Sequence, residues 1–317
     1  MCLLRYAVIT FSVFLFASPA PAWNFVTHRV IAALAYDQLK LESRARVDAL
    51  IRQHPDYAAI FAKNAPNEEP ARARAAFIEA AVWSDQIRND PRFFDDTRKD
   101  AVPTPTLPGF PDMKRHTGWH NIDLPFSQDG APLERAETPN IVTELQRIMA
   151  EFPRPRTGAA LQSYDLVWLI HMFGDIHAPL HCVGRDSTAQ PKGDLGGNLV
   201  FVTSPVTGEA ITLHKYWDDA VGTDTAPEWV ASTAREIASA YSPSRTRARQ
   251  HFNPPAWAQE SLNLAKKQIY TFGQENGSRE HPIGLSPGYR ANARKVAEAQ
   301  VARAADRLAV YLNARLR

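Results

Sequence analysis

The sequence predicts a mainly α-helical protein, with one domain from residue 23 onwards and one small β-hairpin. Three observations support this class. Apolar residues recur with helical spacing in several segments. Loops rich in Pro and Asp separate those segments, and no repeat, low-complexity tract or block of like charge divides residues 23–317. A chain of this length is within reach of a single hydrophobic core.

The first 22 residues have the pattern of a secretory signal peptide. Arg5 is their only charge, an apolar run covers residues 6–16, and small residues lead up to Ala22. The run is short for a membrane span, although an uncleaved anchor is the alternative. We expect cleavage after Ala22 to release a secreted or periplasmic chain that begins at Trp23 and has no membrane anchor.

Cysteine content and charge set limits on stability and partners. Cleavage would leave Cys182 as the single cysteine, which rules out an intrachain disulfide, and we interpret this residue as a small buried hydrophobe rather than a metal ligand. The net charge is +2, so composition alone predicts no polyanionic partner. The run Arg245, Arg247 and Arg249 is interpreted as a solvated face.

Helices are predicted, in chain order, at residues 27–41, 71–87, 141–151, 159–177 and from 286 to near the C-terminus. Segment 159–177 is apolar almost all round, which is typical of an interior helix, and Pro179 ends it. Ser286 and Pro287 form the cap and first turn of the last helix.

Two further segments complete the prediction. Residues 198–213 contain two short β-prone runs around a Pro-Val-Thr-Gly turn, which predicts the hairpin. Residues 89–118 contain five prolines and no clear period. We expect them to form an irregular surface loop near the functional site.

Two His/Asp pairs at helical spacing indicate a metal site. His171 and Asp175 lie four residues apart on the predicted interior helix, and His214 and Asp218 repeat the spacing. A buried carboxylate must be compensated, and for one pair alone a His-Asp hydrogen bond in the core explains the pattern equally well. Two such pairs favour zinc, because imidazole and carboxylate are its ligands in catalytic sites.

Other candidates stand upstream of these pairs. Asp85 and His120 lie among aromatic and aliphatic residues, where a solvated role would not need them. His28 lies five residues after Trp23. A freed α-amine, with a pKa of about 8, can bind a metal together with its own carbonyl oxygen, whereas the alternative is that Trp23 simply packs into the core.

Taken in order, these residues resemble the secreted, zinc-dependent, single-strand-preferring nucleases of fungi, plants and bacteria, known as the S1/P1 type, and the chain resembles a bacterial member. The resemblance covers the whole mature chain. It rests on Trp23, His28, residues 83–88, 119–123, 171–181 and 196–198, His214 and Asp218.

The resemblance implies a helical fold shared with bacterial zinc phospholipases C and a site for three zinc ions. One zinc would be bound by Asp85, His120, His171 and Asp175. A second would be bound by the amine and carbonyl of Trp23, by His28 and by the other oxygen of Asp175. The third would be bound by His181, His214 and Asp218. Zinc-activated water would be the nucleophile.

The implied activity is endonucleolytic hydrolysis of single-stranded DNA or RNA to 5′-phosphorylated products, with action on 3′-nucleotides as a further expectation. Asp85 and Asp175 would be catalytic through the metals, and Arg88 would hold the phosphate. Asp123, Asn198 and Asn121 would form the base-binding cleft. Asn121 departs from the family, where an aromatic residue commonly stacks on a base, so base preference becomes uncertain.

Two other functions remain possible at this stage. A phospholipase C-like enzyme would use the same metals on a lipid phosphodiester, but Asp123 and the lack of a membrane-docking amphipathic segment favour nucleic acid. A non-catalytic periplasmic zinc-binding protein would have no use for Arg88 beside its metals. No stable protein partner is expected.

Overall fold

The computed structural model describes residues 23–153, 158–241, 252–273 and 276–317. The predicted signal peptide and the run from Arg245 to Arg249 lie outside these residues. The described chain is mainly helical with small two-stranded sheets, as the sequence predicts.

The helices are α1 (Phe25–Asp37), α2 (Leu41–Ile51), α3 (Ala71–Ala80), α4 (Trp83–Gln86), α5 (Ile141–Glu151), α6 (Ala159–Asp175), α7 (Leu213–Asp218), α8 (Pro227–Ala240), α9 (Pro254–Leu264) and α10 (Pro287–Arg315). Short 3₁₀ turns cover Ile87–Asn89, Thr117–His120 and Pro179–Cys182, and π turns cover Tyr57–Phe61 and Ala265–Ile269. The strands are β1 (Pro125–Ser127), β2 (Gly184–Asp186), β3 (Phe201–Thr203) and β4 (Ala210–Thr212).

Helix α6 runs through the centre of the fold. It packs against α1, α2, α4, α5 and α10, and every side chain from Leu166 to Asp175 is buried. This confirms the interior helix predicted from its all-round apolar character. The C-terminal end of α6, which carries His171 and Asp175, is therefore surrounded by protein, and Pro179 opens a 3₁₀ turn shortly after it.

Side-chain caps fix the starts of several helices. Asn140 caps α5, where its side chain accepts from the backbone of Val142 and Thr143. Ser286 accepts from the amide of Tyr289 at the start of α10, with Pro287 in the first turn. Both helices therefore begin where the sequence signals predict.

The hairpin is confirmed as the antiparallel pair β3–β4, in the register Phe201 to Thr212. A second pair, β1–β2, is parallel, with Pro125 opposite Gly184. The sequence does not predict it, because two three-residue strands joined by a distant crossover carry no turn signal. It fixes the segment after His120 beside the segment after His181, and the amide of Ile122 donates to the carbonyl of His181 over 2.8 Å.

Three predicted helices differ in their bounds. The predicted helix 159–177 ends two residues earlier, at Asp175. The predicted helix 27–41 begins at Phe25 and ends at Asp37. The predicted helix 71–87 breaks between α3 and α4, and the break frees the carbonyl of Ala81 to accept a hydrogen bond from His171.

The segment 89–118 contains no α-helix, as predicted, but it is more than a surface loop. Phe93, Phe110 and Met113 are buried against the core, and Phe94 pairs with Lys114 in an isolated parallel bridge. Its apolar side chains therefore hold it against α4. No helix among the described residues is both long and apolar enough to cross a membrane.

Candidate metal centre

Five ionisable side chains from four segments meet at the C-terminal end of α6. They come from α1, from α4, from the 3₁₀ turn Thr117–His120 and from α6 itself. Each is at most 2% exposed. The five residues, called the α6 cluster below, are His28, Asp85, His120, His171 and Asp175.

Asp175 lies at the centre of the α6 cluster and divides its two oxygens between different rings. Its Oδ1 lies 3.1 Å from His28 Nε2. Its Oδ2 lies 3.1 Å from both His120 Nδ1 and His171 Nε2. One carboxylate thus faces two sets of nitrogen atoms, which is the arrangement that a carboxylate bridging two metal ions requires.

Asp85 faces the same rings from the opposite side at longer range. Its Oδ1 lies 3.7 Å from His120 Nδ1 and 3.8 Å from His171 Nε2, and its Oδ2 lies 4.0 Å from His28 Nε2. Ligands bound about 2.0–2.2 Å from one tetrahedral zinc are separated by about 3–4 Å. The spacing therefore fits shared metal ligation better than direct hydrogen bonding.

A second group, called the α7 cluster below, consists of His181, His214 and Asp218. His214 Nε2 lies 3.6 Å from Asp218 Oδ2, and His181 Nε2 lies 4.0 Å from Asp218 Oδ1. All three are buried. The Thr212 side chain accepts from the amide of Lys215, which starts α7 directly after β4 and directs its His/Asp face inwards.

Backbone carbonyls orient three of the imidazoles. The Nδ1 atoms of His171, His181 and His214 lie 2.7, 2.9 and 2.8 Å from the carbonyls of Ala81, His120 and Gly196. A carbonyl can only accept, so each Nδ1 carries a proton and leaves Nε2, which faces its cluster, as the nitrogen available to a metal. Such partners fix the tautomer of metal-binding histidines.

Several buried polar atoms of the described residues make no hydrogen bond. In the two clusters they are both oxygens of Asp85, Oδ1 of Asp175, both ring nitrogens of His28, and Nε2 of His120, His181 and His214. Leaving so many polar atoms unpaired in a core is costly, and imidazole nitrogen with carboxylate oxygen is the donor set that zinc prefers. The residues present therefore fit metal ions.

The potential ligand atoms fall into three groups, in each of which they lie within 4.8 Å of one another. The groups are His28 with His171 and Asp175; Asp85 with His120 and His171; and His181 with His214 and Asp218. The last has the membership that the resemblance implies. The first two share His171, whereas the resemblance makes Asp175 the shared residue; the distances from both Asp175 oxygens are compatible with that sharing.

Burial keeps most of the rings neutral, which is the form that binds a metal. It lowers the pKa of His120 and of His214 to about 3. For His171 burial also acts to lower the pKa, but the charges of Asp175 and Asp85 prevail and raise it to about 9. A metal ion bound here would replace that proton as the partner of the two carboxylates.

Asp218 shows the opposite effect. Burial raises its pKa well above the ordinary value, and the neighbouring Asp219 raises it further. A metal bound by the α7 cluster would need the ionised carboxylate, so its binding would oppose this upward shift of the pKa.

Arg88 lies at the edge of the α6 cluster. It follows α4 in the turn Ile87–Asn89, its Nε lies 3.4 Å from Asp85 Oδ1, and its side chain is 14% exposed. The cation therefore stands between the buried carboxylates and solvent, where a phosphate could reach it.

An ion pair between the buried Asp56 and the partly exposed Arg92, which the sequence did not reveal, holds α4 in place. Asp56 accepts from Trp83 Nε1 over 2.8 Å and pairs through both oxygens with Arg92, over 2.8 and 3.0 Å. Trp83 lies two residues before Asp85, so this network ties the 89–118 segment to the turn that carries Asp85 and Arg88. Nothing in the local sequence around Asp56 signals the role, because its partners are distant in the chain.

Trp23 is 1% exposed, and its Nε1 donates to the carbonyl of Gly174 over 3.1 Å. Its side chain thus packs against the end of α6, as the simpler interpretation expects. The role of its amine and carbonyl as ligands stays a prediction.

The proposed base-binding residues occupy two places. Asn121 Nδ2 donates to Asp123 Oδ1 over 3.4 Å, and burial raises the pKa of Asp123 to about 6. Asn198 donates to the carbonyl of Leu195 over 2.8 Å. The first pair follows His120, and Asn198 lies in the turn whose Gly196 carbonyl orients His214.

Leu195 in this turn was not singled out from the sequence. It has φ +54° and is 48% exposed. The left-handed conformation costs a residue with a Cβ about 1–2 kcal/mol, and the preceding Asp194 is held by the amide of Arg185 and the hydroxyl of Tyr270. An exposed apolar side chain is thus held in a strained conformation beside the α7 cluster. Only its position before two glycines could have indicated it.

Two residues near the ligands have structural roles. Cys182 is buried and its thiol donates to the carbonyl of Ile176, and burial raises its pKa, as fits a small hydrophobe. His177 bonds to the carbonyl of Phe173 through Nδ1, and its Nε2 accepts from Arg307 over 2.7 Å. It therefore connects the C-terminal end of α6 to α10 through hydrogen bonds.

The geometry can be set beside known proteins. The S1/P1 Nuclease family matches residues 23–317, nearly the whole chain. A search of curated proteins finds no match.

Proposed function

The chain belongs to the S1/P1 nuclease family, a family of zinc-dependent hydrolases that act on phosphodiester bonds, and we propose that it is an endonuclease for single-stranded DNA and RNA. Three zinc ions would be bound by residues of its own chain, and the products would carry 5′-phosphates. Action on 3′-nucleotides is part of the same proposal.

The observation that carries the proposal is the convergence of buried, otherwise unsatisfied ligand atoms in two neighbouring clusters. The α6 cluster would hold two zincs, with Asp175 between them and Trp23 completing the second through its amine and carbonyl. The α7 cluster would hold the third. The carbonyl of His120, which orients His181 over 2.9 Å, links the clusters, so their separation is set by the fold.

When bound, zinc would acidify a water molecule and neutralise charge on the phosphodiester. The chain's own residues would set the geometry. Asp85 and Asp175 would hold the paired ions at a fixed spacing, and the three carbonyl-oriented histidines would keep the coordinating nitrogens in place without reorganisation. No side chain has to act as a general base.

Arg88 would bind the phosphate that is cleaved. Its partial exposure beside Asp85 allows the guanidinium to reach a substrate oxygen, and its planar donors suit the charge that develops in the transition state. A protein that only stores zinc would not need this cation. Asp123, Asn121 and Asn198 would contact the base of the bound nucleotide.

Export is the remaining part of the proposal. A signal peptide cleaved after Ala22 would give a secreted or periplasmic enzyme and would free the amine of Trp23 for metal binding. The mature chain, residues 23–317, would then form one three-zinc nuclease domain without a stable protein partner.

The proposal is tested by exporting the protein with its signal peptide and offering single-stranded DNA, RNA and phosphatidylcholine. We expect cleavage of both nucleic acids to 5′-phosphorylated products. Hydrolysis of the lipid alone would instead indicate a phospholipase, and zinc-loaded protein that cleaves nothing would indicate a zinc carrier.

A matched pair of variants tests the role of Arg88. Arg88→Lys should lower kcat/KM by about 10²–10³-fold with unchanged zinc content, because it removes a positioned transition-state donor. Arg98→Lys changes an exposed arginine that pairs with Asp100 and should leave activity unchanged. Equal activity of the two variants would contradict the phosphate-binding role.

A further inference from the structure

Two consecutive residues, Trp23 and Asn24, connect the start of α1 to both metal-bearing helices. Trp23 Nε1 donates to the carbonyl of Gly174, the residue before Asp175. Asn24 Nδ2 donates to Asp219 Oδ1 over 2.9 Å and to the carbonyl of Gly222 over 2.7 Å. Asp219 follows Asp218, so the contacts with Gly174 and Asp219 each lie one residue from a proposed ligand, and Gly222 belongs to the turn after α7.

Asn24 uses its whole hydrogen-bonding capacity in this position. Its Oδ1 accepts from the amide of Thr27 over 2.9 Å and from the Thr27 hydroxyl over 3.0 Å, which caps α1. Both protons of its Nδ2 reach the turn after α7. Among good capping side chains only Asn offers an acceptor together with two donors.

Other capping residues could not make the same connection. Ser would keep the cap of α1 but would lose at least one donor to the turn after α7. Asp would keep the cap but would place a second carboxylate against Asp219, whose other oxygen already accepts from Lys215 over 2.8 Å. The cap therefore does not explain why the residue is Asn, whereas the contact with Asp219 and Gly222 does.

We propose that Asn24 is a positioning residue that couples the two metal clusters, by holding the start of α1, with His28 one turn further on, at a fixed place relative to Asp218. This rests on the proposed function only in assuming that the clusters bind zinc. The coupling explains how ligands from α1, α6 and α7 are kept in fixed positions relative to one another. Loss of it should weaken metal binding more than it weakens the metal-free fold.

The test compares four mature proteins with the wild type: Asn24→Ser, Asn24→Asp, Asp219→Asn and the exchange Asn24→Asp/Asp219→Asn. Zinc affinity is measured by competition with a chromogenic chelator, and the melting temperature is measured with zinc and in excess EDTA. Asn253→Asp, which changes the N-cap of α9 far along the chain, controls for the general effect of an Asn-to-Asp change at a cap.

We expect Asn24→Asp to weaken the most weakly bound zinc by about 10-fold or more, in the range found when residues that orient metal ligands are changed. Asn24→Ser should lie between this variant and the wild type. The exchange should recover most of the affinity, because an amide at 219 can donate to a carboxylate at 24. Asn253→Asp should bind zinc as the wild type does.

Two results would overturn the proposal. One is that the melting temperature of Asn24→Asp falls equally with and without zinc while its zinc affinity is unchanged. Asn24 would then act only as a helix cap. The other is an exchange variant whose zinc affinity is no higher than the summed effects of the two single changes predict. Nuclease activity of the wild type is assayed in parallel: wild-type protein that binds zinc without cleaving nucleic acid would refute the proposed function and leave the coupling standing.

Discussion

Replacing Gly174 by Ala should favour the helical conformation of α6 but should also displace the ring of His28. In a helix interior Ala is favoured over Gly by about 1 kcal/mol. A Cβ at this position would lie 2.9 Å from His28 Nδ1 and 3.3 Å from Ile31 Cδ1, and such overpacking costs about 1–3 kcal/mol. The His28 ring has little freedom to yield, because it stacks on His171 at 4.0 Å and faces Asp175 at 3.1 Å.

The gain in helix propensity therefore offsets part of the cost of overpacking, whereas nothing offsets the effect on metal binding. We expect the free energy of unfolding of metal-free Gly174→Ala to fall by about 2 kcal/mol at most. The ring must move away from α6, so zinc binding by His28 and Asp175 should weaken by about 10–100-fold. Urea unfolding in EDTA measures the first quantity and chelator competition the second.

Gly158→Ala is the matched control for this prediction. Gly158 precedes the same helix, and a Cβ there meets nothing within 4 Å, so its zinc affinity should equal that of the wild type. If Gly174→Ala also bound zinc like the wild type, His28 would not need its observed position, and its assignment as a ligand would be wrong.

Three other changes give separable results. Burial raises the pKa of Asp218, so its stabilisation of the metal-free fold is present below the unfolded pKa of about 4 and is lost as pH rises. Metal-free Asp218→Asn should therefore have a higher melting temperature than the metal-free wild type at pH 8. The same variant should bind one zinc fewer. With the pKa of Asp123 at about 6, wild-type KM for a dinucleotide panel should change between pH 5 and 7, and a change of equal size in Asp123→Asn would contradict this. Leu195→Ala should raise KM about 5-fold at unchanged kcat, because it removes apolar surface beside the α7 cluster on which a base would pack. Val206→Ala, which changes an exposed apolar residue of the hairpin, should change neither constant.

The elements best predicted from sequence are those whose signals are local. Helices α5, α6 and α10 follow from apolar periodicity, and α10 also from its cap at Ser286. The break between α3 and α4 could not be predicted, because apolar residues continue through residues 80–83 and the chain turns there in a tertiary context. The parallel pairing of β1 with β2 likewise depends on strands brought together by the rest of the fold.

The metal ligands of the candidate site could be predicted because their residue types and spacing are visible in the sequence. The spacing of His171 and Asp175 identified one face of one helix, and its repetition at His214 and Asp218 made a core accident improbable. The supporting contacts carry no such signature. The role of Asp56 depends on contacts with Arg92 and Trp83, which are distant in the sequence. Asn24 is recognisable from the sequence only as a helix cap, and its contact with the turn after α7 is not.

The most direct test of the account is a zinc titration of the metal-free mature protein with cleavage of single-stranded DNA followed at each addition. The account predicts binding of three equivalents, with cleavage rising steeply only as the last of them binds. Full cleavage by the metal-free protein, or three bound equivalents without any cleavage, would contradict it.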